Sequence, residues 1–229
     1  MHMEEKLRAN KGRLIIIEGL DGSGKNTQAK LLAEALRSAG SQVRMVSFPN
    51  YDSDSSALIK MYLSGKFGTQ PGAVNAYAAS TFFAVDRYAS WKQDWGDFYR
   101  EGGTVVADRY TTSNAVHQCC KLPKEQWEEY LNWLFSFEYE LLRLPAPDLV
   151  IYLQVDVADT QRLMDERYHG DKSKKDIHEG NLDYLSHARA AAEYCAKELG
   201  WKTVHCHENG VMRSIDAIHA EIMRVVEDA

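Results

Sequence analysis

The stretch GLDGSGKNT at residues 19–27 follows, after Glu18, an aliphatic run, LIII at residues 14–17. A buried strand that ends in a glycine-rich loop and leads into an amphipathic helix is typical of a phosphate-binding loop. Its backbone N–H groups point inward at phosphate oxygens, and the helix adds its positive N-terminal end. We expect every residue of the loop to contact a nucleotide: Gly19, Leu20, Asp21, Gly22, Ser23, Gly24, Lys25, Asn26 and Thr27.

Asn26 departs from the usual pattern, in which a Ser or Thr hydroxyl after the lysine holds magnesium. Its amide oxygen can coordinate a cation, but it is neutral and extends further than a hydroxyl. Water can replace a protein ligand of magnesium, so a shifted magnesium shell is compatible with catalysis. The alternative is that catalysis has been lost and the chain is a non-catalytic nucleotide-binding protein.

Short apolar runs alternate with longer segments of helical periodicity along the rest of the chain. Further strands are expected at 43–48, 104–107, 149–155 and, more weakly, 202–206; helices are expected at 25–39, 55–64, 73–100, 124–142, 158–168, 181–199 and 213–227. This alternation predicts a three-layer α/β domain over residues 1–229, with a five-stranded parallel sheet flanked by helices. Residues 1–11 are expected to be a flexible N-terminal segment.

Composition limits the remaining classes of function. A formal charge of −6 argues against broad nucleic-acid binding, which needs a basic surface. No apolar run reaches the roughly 18 residues of a membrane span, and the first residues lack the apolar core of a signal peptide. The four cysteines show no CxxC spacing, which favours reduced thiols and a cytoplasmic location. We therefore expect neither a nucleic-acid partner nor a membrane.

Several motifs follow the loop in a fixed order: Phe48-Pro49, Phe83-Ala-Val-Asp86-Arg87, Asp108-Arg109-Tyr110, Ser113-Asn114 and Pro147-Asp148-Leu-Val-Ile-Tyr-Leu. Together with Asp21 they resemble the thymidylate kinase family over about residues 12–225. The resemblance implies a P-loop nucleoside monophosphate kinase that transfers a phosphoryl group from ATP, with Mg²⁺, to dTMP. It also implies a homodimer. Another P-loop small-molecule kinase, acting on a different monophosphate or a nucleoside, is the nearest alternative.

The base-binding residues are expected on a helix and after the third strand. Phe83 and Arg87 are four residues apart and so share one helix face. By resemblance they stack on thymine and bond its O4; the alternative is a core ring beside a surface ion pair. Asn114 could read N3 of the base or simply cap a helix. Phe48 is also expected at the substrate.

The phosphate and sugar contacts are expected at the edge of the sheet. Arg109 offers two parallel donors to a monophosphate, and Asp108 can orient it or bind magnesium, as Asn26 can. A structural ion pair is the alternative. By resemblance Asp21 meets the 3′-hydroxyl of the sugar. Tyr51 replaces an arginine that many relatives use for the substrate phosphate. His117 stands where relatives have a tyrosine that screens the 2′ position, and His117 or Gln118 would take over that task.

A catalytic cation is expected from a mobile lid at about residues 167–180. In relatives an arginine lies either in the glycine loop or in the lid, and here the loop position after Asp21 is Gly22. Arg167 is therefore the expected lid cation, closing over ATP beside Lys172, Lys174 and Lys175. The alternative is a solvated charged loop. With Lys25, Arg109 and Asp21, Arg167 completes the expected catalytic set.

Overall fold

A computed structural model describes residues 12–156, 159, 160, 162, 163, 166, 171, 182–208 and 210–229. Within these ranges, five parallel strands form one sheet in the order β2-β3-β1-β4-β5, which confirms the predicted five-stranded parallel sheet. The strands are β1 (Arg13–Gly19), β2 (Val43–Ser47), β3 (Thr104–Asp108), β4 (Leu149–Gln154) and β5 (Lys202–His205). A small antiparallel pair that the sequence did not predict, β6 (His207–Glu208) and β7 (Val211–Met212), follows the sheet.

Helices connect the strands and cover both faces of the sheet. They are α1 (Lys25–Ser38), α2 (Ala57–Leu63), α3 (Ala76–Ser90), α4 (Gly96–Arg100), α5 (Thr111–Cys119), α6 (Trp127–Phe135), α7 (Leu182–Glu198) and α8 (Ile215–Glu227). Two segments are wound as π-helix, Trp91–Trp95 after α3 and Ser136–Leu141 after α6. The predicted helices at 73–100 and 124–142 therefore each change their winding part of the way along. Among the described residues, no helix is both long and apolar enough to cross a membrane.

The central strand β1 is buried on both faces, which explains its continuous aliphatic run. Ile15 and Ile17 pack in a cluster that includes Leu32 of α1 and Ile222 of α8. Leu14 and Ile16 belong to the cluster on the opposite face, with the aromatic side chains that surround Tyr110. The alternation of side chains along the strand thus supplies the core of both outer layers.

The register of the sheet brings the predicted site residues to one edge. Ile17 of β1 pairs with Asp108 of β3, so the loop after β1 begins beside the turn after β3. A Cβ at Gly19 would lie 2.4 Å from Ser23 Oγ and 3.2 Å from the carbonyl oxygen of Leu153, so a larger residue there would force Ser23 to turn. Ligands of such sheets bind beyond the carboxyl ends of the strands, where these two turns lie.

Candidate functional site

The phosphate loop leaves the N-terminus of α1 open to an anion. Helix α1 starts at Lys25 after Gly24, which adopts a left-handed φ of 79° and gives no side-chain cap. The first N–H groups of the helix are therefore available to phosphate oxygens. Ser23 Oγ is buried and lacks a hydrogen-bond partner within the described part of the chain. Both features suit a loop that wraps around a bound anion.

Lys25 lies over this loop with its amine directed at backbone and carboxylate oxygens. Its Nζ donates to the carbonyl oxygen of Leu20 at 3.2 Å and lies 3.6 Å from Asp21 Oδ1. Burial and the positive charge of Arg109 lower the pKa of Lys25, and the carboxylates nearby oppose that shift. A phosphate group bound in the loop would add negative charge close to this amine and favour its protonated form.

Arg109 stands at the centre of the candidate site. Its Nη2 donates to Asp21 Oδ1 at 2.5 Å, while Nη1 lies 3.1 Å from His117 Nε2 and 3.7 Å from Glu18 Oε1. Burial lowers the pKa of Arg109, but the carboxylates around it raise the pKa above its ordinary value. The backbone φ of 67° is rare for a residue with a side chain, and such strain concentrates at functional sites. The arginine is therefore a fixed cation beside the phosphate loop.

Glu18 holds this arrangement in place, and our sequence analysis did not select it. The side chain is fully buried and accepts from the backbone N–H of Gly19 at 2.9 Å. Its other oxygen accepts from Thr112 Oγ1 at 2.6 Å and Ser113 Oγ at 2.8 Å. Because Ser113 Oγ also accepts from Arg109 at 3.2 Å, Glu18 fixes one side of the guanidinium. A carboxylate inside a buried aliphatic strand was the signal for this residue.

Asn26 and Asp108 are direct partners. Asn26 Nδ2 donates to Asp108 Oδ2 at 2.9 Å, and Ser47 Oγ lies 3.4 Å from the same oxygen. Asp108 Oδ1 is buried with no hydrogen-bond partner among the described residues. Within these residues no three His, Cys, Asp or Glu side chains could hold a metal ion alone. The arrangement fits magnesium bound through few protein oxygens, water and phosphate.

Two of the three predicted base-reading side chains, Arg87 and Asn114, meet at a buried carboxylate, Glu138. Arg87 donates to it from Nε at 2.7 Å and from Nη2 at 2.5 Å, and its Nη1 lies 3.4 Å from the carbonyl oxygen of Tyr110. Asn114 Nδ2 also donates to Glu138, at 3.2 Å. Phe83 is half-buried, with its ring edge-to-face on Tyr62 at 6.4 Å. The expected fork of Arg87 is therefore occupied by an acid 51 positions away in the sequence.

The structure also describes the remaining predicted substrate residues, Phe48, Tyr51, His117 and Gln118. Phe48 is buried against Tyr110, with ring centroids 5.9 Å apart. Tyr51 is 52% exposed. Gln118 is buried, and its Oε1 has no hydrogen-bond partner in the described ranges. Since an arginine can only donate, His117 Nε2 accepts from Arg109, which leaves Nδ1 to donate to Tyr184 Oη at 3.1 Å.

Arg167 and the proposed lid at about 167–180 fall outside the described residues, except for Asp171. The three lysines expected beside it are also outside the described residues: Lys172, Lys174 and Lys175. The N-terminal segment at 1–11 is likewise outside the described ranges. The arginine proposed for the lid therefore stays a prediction from the sequence.

Lys121, just after α5, supports the ring of Tyr62 on which Phe83 packs. Its Nζ donates to Tyr62 Oη at 2.6 Å and to the carbonyl oxygen of Val74 at 3.3 Å. Burial lowers the pKa of Lys121 to about 8 from 10.5. Between these values the unfolded chain binds more protons at this residue than the folded chain, so this residue makes the free energy of unfolding rise with pH.

We expect the substitution Lys121→Met to remove that rise. The free energy of unfolding of the variant, relative to the parent protein, should fall by about 1–3 kcal/mol between pH 8 and pH 10.5. Urea unfolding at both pH values measures it, with the same substitution at exposed Lys124 as the control for losing one charge. A constant difference between Lys121→Met and the parent protein across this range would contradict the expectation.

Comparison with known proteins gives one consistent result. The family described as thymidylate kinase matches residues 17–222. Human thymidylate kinase is 29% identical over 230 residues, covering 97% of this chain and 93% of the relative. The enzyme from Mycobacterium tuberculosis is 36% identical over 143 residues, or 62% of this chain and 65% of the relative.

A solved structure of thymidylate kinase from Candida albicans superposes with a TM-score of 0.70. It covers 95% of this chain and 92% of its own, at 24% sequence identity, and so supports the fold. The family match spans the glycine loop, the turn after β3 and the strand β4, which carry the motifs quoted above. The resemblance inferred from those motifs is thereby confirmed: the chain belongs to the thymidylate kinase family.

Proposed function

We propose that the chain transfers the γ-phosphoryl group of ATP to dTMP, giving ADP and dTDP for dTTP synthesis. Membership of the thymidylate kinase family supports this reaction. The structural observation that carries it is the position of Arg109, whose guanidinium contacts Asp21 inside the phosphate loop. A fixed cation with a planar fork, next to a loop for the donor phosphates, suits an acceptor that already bears a phosphate.

The loop holds the donor in this mechanism. Its N–H groups and Lys25 bind the phosphates of ATP and withdraw charge from the group in transfer. Arg109 binds the phosphate of dTMP in line with the γ-phosphoryl group of ATP. The attacking oxygen is already ionised, so the chain needs no general base. Positioning and neutralisation of charge, completed by the proposed lid cation Arg167, supply the rate enhancement.

Asp21 has two tasks in this proposal. It accepts from Arg109 and lies near Lys25, which keeps both cations in place. With dTMP bound, the phosphate takes over Arg109, and the Asp21 carboxylate can accept from the 3′-hydroxyl of the sugar. Phe48, Tyr51, His117 and Gln118 complete the proposed pocket for dTMP, beside the base contacts of Phe83, Arg87 and Asn114.

Magnesium is the proposed cofactor, with Asp108 and Asn26 as its protein contacts. Asp108 would act, directly or through water, through Oδ1, which has no hydrogen-bond partner in the described ranges, and the Asn26 amide holds the other oxygen. Bound magnesium would neutralise the outer phosphates of ATP. Asn26 thus also orients the acid through its amide nitrogen.

We expect Asp108→Asn to raise the magnesium concentration needed for half-maximal rate by about tenfold or more, because an amide offers the cation less charge. Initial rates across a magnesium titration at saturating ATP and dTMP measure this shift. Glu34→Gln, an exposed acid on α1, is the matched control and should leave the titration unchanged. An unchanged midpoint for Asp108→Asn would remove Asp108 from the magnesium site.

We also propose a cytoplasmic homodimer. Two apolar side chains on α3, Val85 and Tyr88, are 52% and 40% exposed, and their three-residue spacing puts them on one helix face. Such a face is suited to a second copy of the chain. Light scattering coupled to size-exclusion chromatography tests this: a mass of one chain at micromolar concentration would contradict it.

The reaction itself is tested by coupled ADP release with ATP and magnesium across dTMP, dUMP, UMP, dCMP, dAMP and GMP. The expected result is strong turnover with dTMP, with dUMP second. Preference for another monophosphate would keep the kinase and overturn the base assignment. Binding of ATP without turnover of any acceptor would make the chain a nucleotide-binding protein, with Asn26 as the cause to examine first.

A further inference from the structure

Glu138 is a buried acid on the π-helical segment Ser136–Leu141, fully shielded from solvent. Besides Arg87 and Asn114, the hydroxyl of Thr111 donates to it at 2.7 Å. Three elements, α3, α5 and the segment after α6, therefore converge on one carboxylate. A buried charge with this many donors orients its partners rigidly, because turning any of them would leave the charge unsatisfied.

The partners of Asn114 determine which way its amide points. Nδ2 lies 3.2 Å from the carbonyl oxygen of Ser80 and 3.2 Å from Glu138 Oε1. Both neighbours accept hydrogen bonds, so the amide nitrogen has to face them and its two hydrogens are used. Toward any further ligand, Asn114 can then offer only Oδ1, an acceptor.

Arg87 has the opposite polarity. Glu138 binds its Nε and Nη2 edge, and only N–H groups remain for other contacts, since a guanidinium cannot accept. The pair therefore presents one acceptor and one donor in a fixed arrangement. A reversed arrangement would break the hydrogen bonds from Asn114 to both Glu138 and the Ser80 carbonyl.

We propose that Glu138 is a positioning residue that determines base specificity by fixing this polarity. Thymine and uracil offer an N3–H donor beside an O4 acceptor, which complements Asn114 and Arg87. Cytosine offers an N3 acceptor beside an N4 amino donor, which places acceptor against acceptor and donor against donor. Such mismatches in a buried site are rejected strongly because the polar groups remain unpaired. The inference rests on the proposed function, in which these two side chains face the base.

The test compares binding of dTMP and dCMP without ATP, by calorimetry, for the parent protein and Glu138→Gln. A glutamine is neutral and can present its own amino group to Asn114, so the Asn114 amide loses one of its two acceptors and only the Ser80 carbonyl still holds its nitrogen inward. We expect the dissociation constant of dCMP divided by that of dTMP to fall by about tenfold or more, because dTMP binds more weakly and dCMP more tightly. A loss of folded structure alone would weaken the binding of dTMP and dCMP to the same extent and leave the ratio unchanged.

Tyr130→Phe is the matched control. Its hydroxyl lies 2.7 Å from Ser80 Oγ and 3.3 Å from the carbonyl oxygen of Asn114, in the same helix interface but without contacting Glu138. It should lower thermal stability and leave the ratio unchanged. Where Glu138→Gln does not fold, Glu138→Asp keeps the charge, withdraws the carboxylate from Asn114, and should also lower the ratio.

An unchanged ratio in a folded Glu138 variant overturns the inference, as does an equal change in Tyr130→Phe. A parent protein that binds dTMP and dCMP equally well also overturns it. Turnover of dTMP by the parent protein, measured separately, reports on the proposed function. A failure of catalysis is thereby distinguished from a failure of base selection.

Discussion

Arg109→Ala is expected to lower kcat/KM for dTMP by about a thousandfold, because arginines that bind the phosphoryl groups in transfer contribute effects of this size. The substitution removes both donors of the fork. It also leaves Glu18 and Asp21 without the cation that separates them in the free site. Steady-state kinetics with varied dTMP at saturating ATP measure the loss, and thermal unfolding shows whether the variant stays folded.

Two further variants define what Arg109 contributes. Arg109→Lys keeps the positive charge but loses the planar fork, so its activity should lie between those of the parent protein and Arg109→Ala. Arg44→Ala removes an exposed ion pair with Asp94 and should leave kinetics unchanged. If Arg109→Ala retained a tenth of the parent kcat/KM, the acceptor phosphate would have to bind elsewhere.

Lys25→Ala should reduce kcat by about a hundredfold to a thousandfold while changing KM for dTMP little. Lys25 is on the donor side of the site and its charge matters most as the outer phosphate moves, whereas Arg109 binds the acceptor. Single-turnover rates with saturating nucleotides report this step directly. Lys30→Ala, an exposed lysine on the same helix α1, is the control for loss of positive charge.

Two results would contradict the assignment of Lys25 to the donor phosphates and Arg109 to the acceptor phosphate. A large rise in KM for dTMP with unchanged kcat would place Lys25 at the acceptor phosphate. A comparable loss in Lys30→Ala would indicate that the charge of α1 as a whole, and no single contact in the loop, determines the rate.

The sheet and the phosphate loop could be predicted from sequence because their signals are local. The run at residues 14–17 is aliphatic throughout since β1 is buried on both faces, and the glycines follow where the backbone must turn. The positions of Asp108 and Arg109 at the end of a strand also follow from local pattern. Parallel strands then place both turns at one edge of the sheet.

The contacts that orient the site depend on residues far apart in the sequence, and no spacing rule connects them. Glu138 is on the same helical stripe as Leu134, four residues earlier, so an acid on an apolar face was visible. The pairing of Glu138 with Arg87 could not be predicted, because it depends on how α3 packs and on the π winding after α6. Asn26 was recognised as unusual, but its bond to Asp108 requires the register of two strands.

The carboxylates around Arg109 have a consequence for inhibitors. Among the residues that the structure describes, the carboxylates of Glu18, Asp21 and Asp108 all act on both Arg109 and Lys25, so three acids face these two cations. A phosphate mimic must compete with Asp21 for its cation, at a cost in affinity. A thymidine analogue with a compact amine in place of the phosphate matches the surplus acid instead.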